Sequence, residues 1–139
     1  IWSVNSRNDS LDETLARMRR YAAEIFERSN TAYHLKLDEN IQDRKLSMEL
    51  RHDIFLLFKE SLNNVFKHAE AKNVWIIVSL ERSQLVMRVK DDGKGFDTSA
   101  ATHRNGWKNM QIRVEKWKGT LQLLSEKEKG TTISIQLPV

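Results

Sequence analysis

Four polar residues at helical spacing are the first candidates for chemistry in this sequence. Intervals of three and four residues place Glu60, Asn64, Lys67 and His68 along one side of a helix. A carboxylate, a carboxamide oxygen and two potential cations suit a magnesium–triphosphate group, because the hard metal binds oxygen and phosphate binds positive charge. An ordinary solvated helix face has the same composition, so the helix alone leaves both interpretations open.

An Asp-x-Gly-x-Gly segment is the second candidate. Asp91 ends a predicted strand, and Gly93 and Gly95 permit the positive φ angles or close backbone approach that a ligand-binding turn needs. An aspartate in this position can accept a hydrogen bond from an exocyclic amine. Asp-Gly pairs also mark ordinary turns. The segment is neither a Walker loop nor a Gly-x-Gly-x-x-Gly fingerprint.

Gly106 is the third candidate, because it opens a predicted helix behind a loop. The free backbone N–H groups and positive dipole end of such a helix can receive phosphate oxygens. A plain loop-to-helix junction with glycine as a cap is the alternative.

Hydropathy patterns predict the elements that carry these residues. An apolar stripe behind a capping-box pattern at Ser10 predicts a helix over 10–27, and alternation predicts a strand over 33–37. Helical spacing resumes over 46–71. Strand formers over 74–78 and 85–89 predict a hairpin, followed by a loop over 91–106.

The residue pattern of the last part of the chain predicts one helix and two strands. Trp107, Met110, Val114 and Trp117 form a helical stripe, which we expect Gly119 to end as a left-handed cap. Strands over 121–124 and 132–137 flank a turn at Gly130. This order predicts one mixed sheet with helices on a single face, an α/β two-layer sandwich.

Composition restricts the class of protein. The 139 residues fit one domain, and no apolar run reaches the roughly 18 residues of a membrane helix. The absence of cysteine excludes thiol chemistry and agrees with a reducing, cytoplasmic compartment. A net charge of +4 is modest and the basic residues are scattered, so we expect neither a nucleic-acid partner nor membrane contact. The chain begins at Ile1 and looks like a piece of something longer.

Taken together, the motifs resemble a known family. Residues 59–69 (KESLNNVFKHA) are similar to the N box, and residues 89–97 (VKDDGKGFD) to the first glycine box, of the ATP-binding catalytic (HATPase_c) domains of bacterial two-component sensor histidine kinases in the GHKL superfamily. Residues 106–138 resemble the second glycine box and the closing strands. Residues 1–22 resemble the segment after the phosphoacceptor helices in Bacteroidetes-like kinases, of HisKA_3 type or similar.

The resemblance implies a fold and a domain plan. The fold would be a Bergerat-type α+β two-layer sandwich, with a mixed sheet of about five strands and three helices on one face. Residues 1–139 would form a single ATP-binding domain. Within it, 1–9 would be the remnant of a linker from the missing phosphoacceptor and dimerisation helices, and 97–106 the ATP lid.

The resemblance also implies ATP and Mg²⁺ as cofactors and a role for each motif residue. Glu60 would be the catalytic residue, acting as the base or polarising group near the γ-phosphate, and Asn64 would coordinate Mg²⁺. The other implied nucleotide-binding residues are Lys67, His68, Asp91, Gly93, Gly95, Arg104, Gly106 and Thr131. Asp91 would hold the adenine amine.

The implied partners are the phosphoacceptor/dimerisation domain of the same parent protein and, through it, a response regulator. Two rival interpretations are an anti-sigma-type serine kinase and a degenerate nucleotide-binding or protein-interaction module without turnover. The chain departs from the family in its second glycine box, where Arg104 and Trp107 replace the usual first glycine and the leucine.

Overall fold

A computed structural model describes residues 11–41, 44–96 and 105–139, apart from the side chains of Glu39 and Asn105. The helices and strands in chain order are α1 (Asp12–Phe26), β1 (Ala32–Leu37), a 3-10 helix (Glu39–Ile41), α2 (Met48–Asn64), a π-helical turn (Val65–Ala69), β2 (Asn73–Glu81), β3 (Gln84–Asp91), α3 (Asn105–Lys116), β4 (Thr120–Ser125) and β5 (Thr131–Pro138). The predicted order is confirmed. None of the helices within these ranges is both long and apolar enough to cross a membrane.

The five strands form one open mixed sheet in the order β1-β2-β3-β5-β4. Among the strands of the described ranges, only β1 and β2 run parallel, and α2 lies between them in the chain, as a parallel connection requires. The other three pairings are antiparallel. The predicted two-layer sandwich with its mixed sheet is confirmed.

Alternation along the strands separates a core face from an open face. In β2, Val74, Ile76 and Val78 are buried, whereas Trp75 and Ile77 are exposed. The buried face packs against the apolar stripes of the three helices in one cluster. The other faces of these helices are polar. Burial of the apolar stripes against the sheet therefore explains where the helices lie.

The observed helix ends differ from two predictions. Ser10 lies outside the described residues, and Leu11 already has helical backbone angles without a side-chain cap bond. At the end of α3 the left-handed residue is Lys118, with φ 57°, and not Gly119. Gly119 is needed for a different reason, because a Cβ there would overlap the backbone oxygen of Gln136 in β5.

The two-residue turn between β2 and β3 stores backbone strain. Arg82 and Ser83 both have positive φ, 50° and 63°, the geometry of a hairpin turn that favours Asn-Gly. Non-glycine residues in this region cost roughly 1–2 kcal/mol each. We therefore expect the double variant Arg82→Asn/Ser83→Gly to raise the free energy of unfolding by about 1 kcal/mol in urea titrations. An unchanged or lower midpoint would contradict this.

Candidate functional site

The C-terminal end of α2 builds one wall of a pocket. The sequence predicted an uninterrupted helix to residue 71, but the structure changes to a π-helical turn at Val65–Ala69 and ends it with a left-handed Glu70. Single π-helical turns are frequent at functional sites. Here the turn places Asn64, Val65 and His68 together along the pocket.

Three strands build the floor of the pocket in two cross-strand rows. The first row is apolar and runs across β3, β5 and β4 through Val89, Ile133 and Leu123. The second row contains Asp91 of β3, which pairs with Thr131 of β5. The first turn of α3 contributes Trp107 on a third side. The full lining is Asn64, Val65, His68, Ala69, Val89, Asp91, Phe96, Trp107, Leu123, Thr131 and Ile133. A mainly apolar pocket with a few polar groups is typical of a small-molecule site.

Asp91 supplies the carboxylate of the pocket lining and is buried, with 3% of its surface exposed. Burial raises the pKa of its carboxyl group, and hydrogen bonds from the backbone N–H groups of Gly93 and Thr131 only partly offset this. The Gly93 bond measures 2.8 Å. A carboxylate has about four acceptor positions, so two backbone donors leave capacity for a donor on a ligand.

The glycine turn after Asp91 is fixed by close backbone packing. A Cβ at Gly93 would overlap the carbonyl of Ala69, and Lys94 N–H donates to that carbonyl at 2.8 Å. Gly95 has φ +64°, and a Cβ there would overlap the carbonyl of Glu126. The turn is therefore held between the π-helical turn and the β4–β5 connection, and both glycines are required by this packing.

Thr131 takes part in a hydrogen-bond network that was not predicted from the sequence. Its hydroxyl lies 2.8 Å from Oγ of Ser125, its cross-strand partner. The Ser125 hydroxyl also accepts from the Phe96 backbone N–H at 3.0 Å. Ser125 thus ties the end of the glycine turn to β5, and the strand register is the only feature that could have indicated it.

Glu60 and Gly106 meet beside the pocket. A Cβ at Gly106 would overlap Oε1 of Glu60, so the carboxylate packs against the α-carbon at the start of α3. A negative charge is favoured at this end of a helix. Neither residue belongs to the pocket lining.

Of the other predicted residues that the structure describes, Gly93, Gly95 and Lys67 do not line the pocket. Lys67 is exposed on the π-helical turn and is absent from the lining. Arg104 lies outside the described residues, as does most of the predicted lid at 97–106. Phe96 and Trp107 line the pocket although neither was predicted to be a site residue. In the described ranges no three His, Asp or Glu side chains are grouped as a metal site.

A buried carboxylate holds the C-terminal end of α3 against α2. Asp53, 7% exposed, accepts hydrogen bonds from Lys116 Nζ at 2.9 Å and Trp117 Nε1 at 2.7 Å, and Arg113 lies 3.6 Å away. Burial raises the pKa of Asp53, but these hydrogen bonds and cations outweigh it, so the net direction is down. Nothing in the residue pattern predicted this network, which positions α3, the helix whose first turn contains Gly106.

We expect Asp53→Ala to lower the free energy of unfolding by about 2 kcal/mol, because it removes the charged acceptor of the Trp117 indole N–H, whereas Lys116 and Arg113 keep access to water. A lowered folded-state pKa stabilises the protein above the unfolded pKa, and this stabilisation is lost as pH falls through the folded-state pKa. Below about pH 4, the free energy of unfolding measured in urea should therefore fall less steeply with decreasing pH in the variant than in the wild type. Glu115→Ala, at an exposed position on α3, is the control, and equal effects of the two changes would contradict the role of Asp53.

Comparisons with known proteins agree with the motifs. Residues 49–139 match the family described as histidine kinase-, DNA gyrase B-, and HSP90-like ATPase. The sensor histidine kinase LiaS of Bacillus subtilis is 31% identical over 106 residues, covering 76% of this chain and 29% of LiaS. The sensor histidine kinase YdfH of the same organism is 35% identical over 98 residues, covering 68% and 24% of the two chains.

The same fold occurs in a solved structure. The histidine kinase domain of the blue-light activated histidine kinase from Erythrobacter litoralis superposes with a TM-score of 0.78 over 99% of this chain and 65% of that chain, at 21% identity. The chain spans less than a third of the length of the curated relatives named above. The match over residues 49–139 shows that this chain belongs to the family of histidine kinase-, DNA gyrase B- and HSP90-like ATPases.

Proposed function

We propose that this chain is the ATP-binding catalytic domain of a sensor histidine kinase. The observation that carries the proposal is the buried carboxylate of Asp91, which keeps acceptor capacity inside an otherwise largely apolar pocket. Such a group suits the exocyclic amine of adenine and disfavours a carbonyl at the same position. Thr131 assists on the neighbouring strand, and Gly93 and Gly95 shape the turn around Asp91.

The phosphate end of the nucleotide lies toward α2 and α3 in this proposal. Lys67 and Arg104 supply positive charge, His68 contacts the phosphates, and Gly106 allows close approach of the α3 backbone. Lys67 is exposed, so it reaches phosphates only at the open end of the site.

The protein oxygens at the pocket suit a magnesium ion that is bound mainly through the nucleotide. Mg²⁺ commonly uses one or two protein oxygens together with waters and substrate phosphates. Asn64 offers one carboxamide oxygen at the pocket wall, and the described residues contain no group of three acidic or histidine ligands. Asn64 would therefore hold the ion, whose chemistry is to neutralise charge on the phosphates.

Phosphoryl transfer then depends mainly on positioning and charge. A histidine nitrogen on a phosphoacceptor/dimerisation domain attacks the γ-phosphorus, the bond from that phosphorus to the β–γ bridging oxygen breaks, and ADP leaves. Glu60 takes the proton from the attacking imidazole. A response regulator receives the phosphoryl group from that histidine.

The proposal implies a cytoplasmic location, where ATP is available and where a sequence without cysteine is ordinary.

Calorimetric titration with ATP and ADP, with Mg²⁺ and then with EDTA, is the first test. We expect nucleotide binding that strengthens with Mg²⁺ for ATP. Labelled ATP should then phosphorylate a separately produced phosphoacceptor domain of the parent protein on histidine. A folded domain that binds no nucleotide would overturn the proposal, and transfer to a protein serine would point to the serine-kinase alternative.

A further inference from the structure

Two neighbouring rows of exposed residues on the open face of the sheet form a basic patch around two apolar side chains. Each row crosses β1, β2 and β3 in register, and its apolar residue lies on the central strand, β2. The six residues of the basic patch are His34, Trp75 and Lys90 in one row and Lys36, Ile77 and Arg88 in the next. Trp75 is 38% exposed and Ile77 40% exposed, so the centre of the patch presents apolar surface to water.

The ring of Trp75 is held in place by its neighbours. The imidazole of His34 stacks on the indole, with the ring centroids 5.6 Å apart and the planes inclined by 15°. Nε2 of His34 lies 3.1 Å from Oδ1 of Asn73, whose Nδ2 donates to Asp92 at 3.1 Å. An exposed aromatic side chain that is already ordered loses little conformational entropy when a partner covers it. Trp75 therefore has the properties of an interface anchor.

Charge around the apolar centre is of one sign. Lys36, Arg88 and Lys90 flank it on both sides, and neither row contains a carboxylate. The nearest acidic residues on β1 and β3 lie beyond the rows, Asp38 beside Val78 and Asp92 beside Asn73, and each accepts hydrogen bonds from backbone N–H groups. The patch thus attracts an acidic surface and repels a second copy of itself.

The dimensions of the basic patch suit a helix that lies along β2. Trp75 and Ile77 are two residues apart on one strand, a step of about 6.7 Å. Residues i and i+4 of an α-helix are separated by a rise of about 6 Å, so two apolar side chains of one helical ridge can cover both. The distance from β1 to β3 is two strand spacings, about 9.6 Å, which is close to the diameter of a helix.

We propose that the basic patch binds an acidic amphipathic helix of a partner protein. Its apolar ridge contacts Trp75 and Ile77, and carboxylates on both sides of the ridge face Lys36, Arg88 and Lys90. A nucleic acid would offer phosphates to these cations but no apolar counterpart to Ile77, and one face of the Trp75 ring is already stacked on His34. This inference is independent of the proposed function, because the pocket lies on the other face of the sheet.

A capped helical peptide of about five turns provides the probe, with leucine at the i and i+4 positions of one ridge, glutamate on both sides of it and alanine elsewhere. Titrated into the ¹⁵N-labelled domain, it should shift the indole resonance of Trp75 and the backbone amides of β1 to β3. A peptide with glutamine in place of glutamate should bind about tenfold more weakly, since it keeps the ridge and loses three exposed ion pairs. Absence of these shifts, or equal affinity of the two peptides, would overturn the inference.

Charge reversal on the domain tests the same contact from the other side. Arg88→Glu should weaken binding of the glutamate peptide by at least about tenfold, because it replaces an attraction with a repulsion. Lys127→Glu is the matched control, since it makes the same charge change at an exposed position of the β4–β5 connection and should leave the affinity unchanged. Equal losses in the two folded variants would reduce the effect to net charge and overturn the inference. Tighter binding of a single-stranded oligothymidylate than of the peptide, with the same shifts, would also overturn it by assigning the patch to nucleic acid.

Discussion

Asp91→Ala should reduce binding of ADP and ATP by about a hundredfold. A hydrogen bond to a charged group that is buried away from water contributes roughly 1.5–3 kcal/mol, and its loss leaves the ligand amine unpaired in an apolar pocket. Asp91 meets these conditions, since it is 3% exposed and shares the pocket with apolar walls. Calorimetry in the presence of Mg²⁺ measures the change, and thermal unfolding shows whether the variant is folded.

Asp92→Ala is the matched control for that variant. Asp92 is the next residue, but its carboxylate is exposed and accepts from the backbone N–H groups of Lys72 and Asn73 at 2.9 and 2.8 Å. If the effect at Asp91 came only from disturbing the turn, Asp92→Ala should weaken nucleotide binding equally. Near-normal ADP affinity in Asp91→Ala would remove the adenine contact from the proposed site.

The same position should control base specificity. The amide introduced by Asp91→Asn would offer an N–H₂ donor where the aspartate only accepts. We therefore expect this variant to show a narrower preference for ADP over GDP, because guanine presents a carbonyl in place of the amine. Competition between the two nucleotides for the folded variant measures this ratio, and an unchanged ratio would show that the base is recognised elsewhere.

Periodicity predicted the framework of the fold well. Apolar spacing indicates which side of each helix or strand is buried, and the fold depends on that burial. Examples are the helical stripe of Leu15, Met18 and Ala22 and the alternation through Val74, Ile76 and Val78, all of which are buried. Order along the chain then restricted the layers to a sandwich. These features are local in sequence, so one chain was sufficient to find them.

Features that depend on tertiary contact were not predictable in this way. The π-helical turn at Val65–Ala69 leaves no trace in the apolar spacing, because its residues are compatible with an ordinary helix. Lys118 adopts the left-handed conformation at the end of α3, whereas Gly119 is needed at the contact with β5. Asp53 lies 63 residues from Lys116, and only the packing of α2 on α3 brings them together.

The candidate site contains residues that the sequence predicted and residues that only tertiary contacts bring together. Asp91 and its glycines form a local motif and were visible in the sequence, whereas Ser125 and Trp107 join the site through strand register and helix packing. The predicted polar stripe on α2 separates in space. Asn64 and His68 line the pocket, Glu60 lies against Gly106, and Lys67 is exposed. This separation agrees with a division between nucleotide binding and the transfer step.

Glu60→Gln should separate these two steps. The amide keeps the size of the side chain beside Gly106 but cannot take a proton from the attacking imidazole. General-base groups contribute typically 10²–10⁴-fold, so we expect phosphorylation of the phosphoacceptor domain to slow by at least about a hundredfold. ATP affinity should change little, because Glu60 is not part of the pocket lining.

Glu49→Gln on the same helix is the control for that comparison. Glu49 is 65% exposed and pairs with Lys116, and an exposed ion pair of this kind contributes little. Transfer by this variant should match the wild-type rate in single-turnover assays with labelled ATP. If Glu60→Gln weakens ATP binding and transfer by the same factor, Glu60 acts in binding the nucleotide. If its transfer rate is unchanged, the proton is taken by another group, and the role of this carboxylate is its contact with Gly106 at the start of α3.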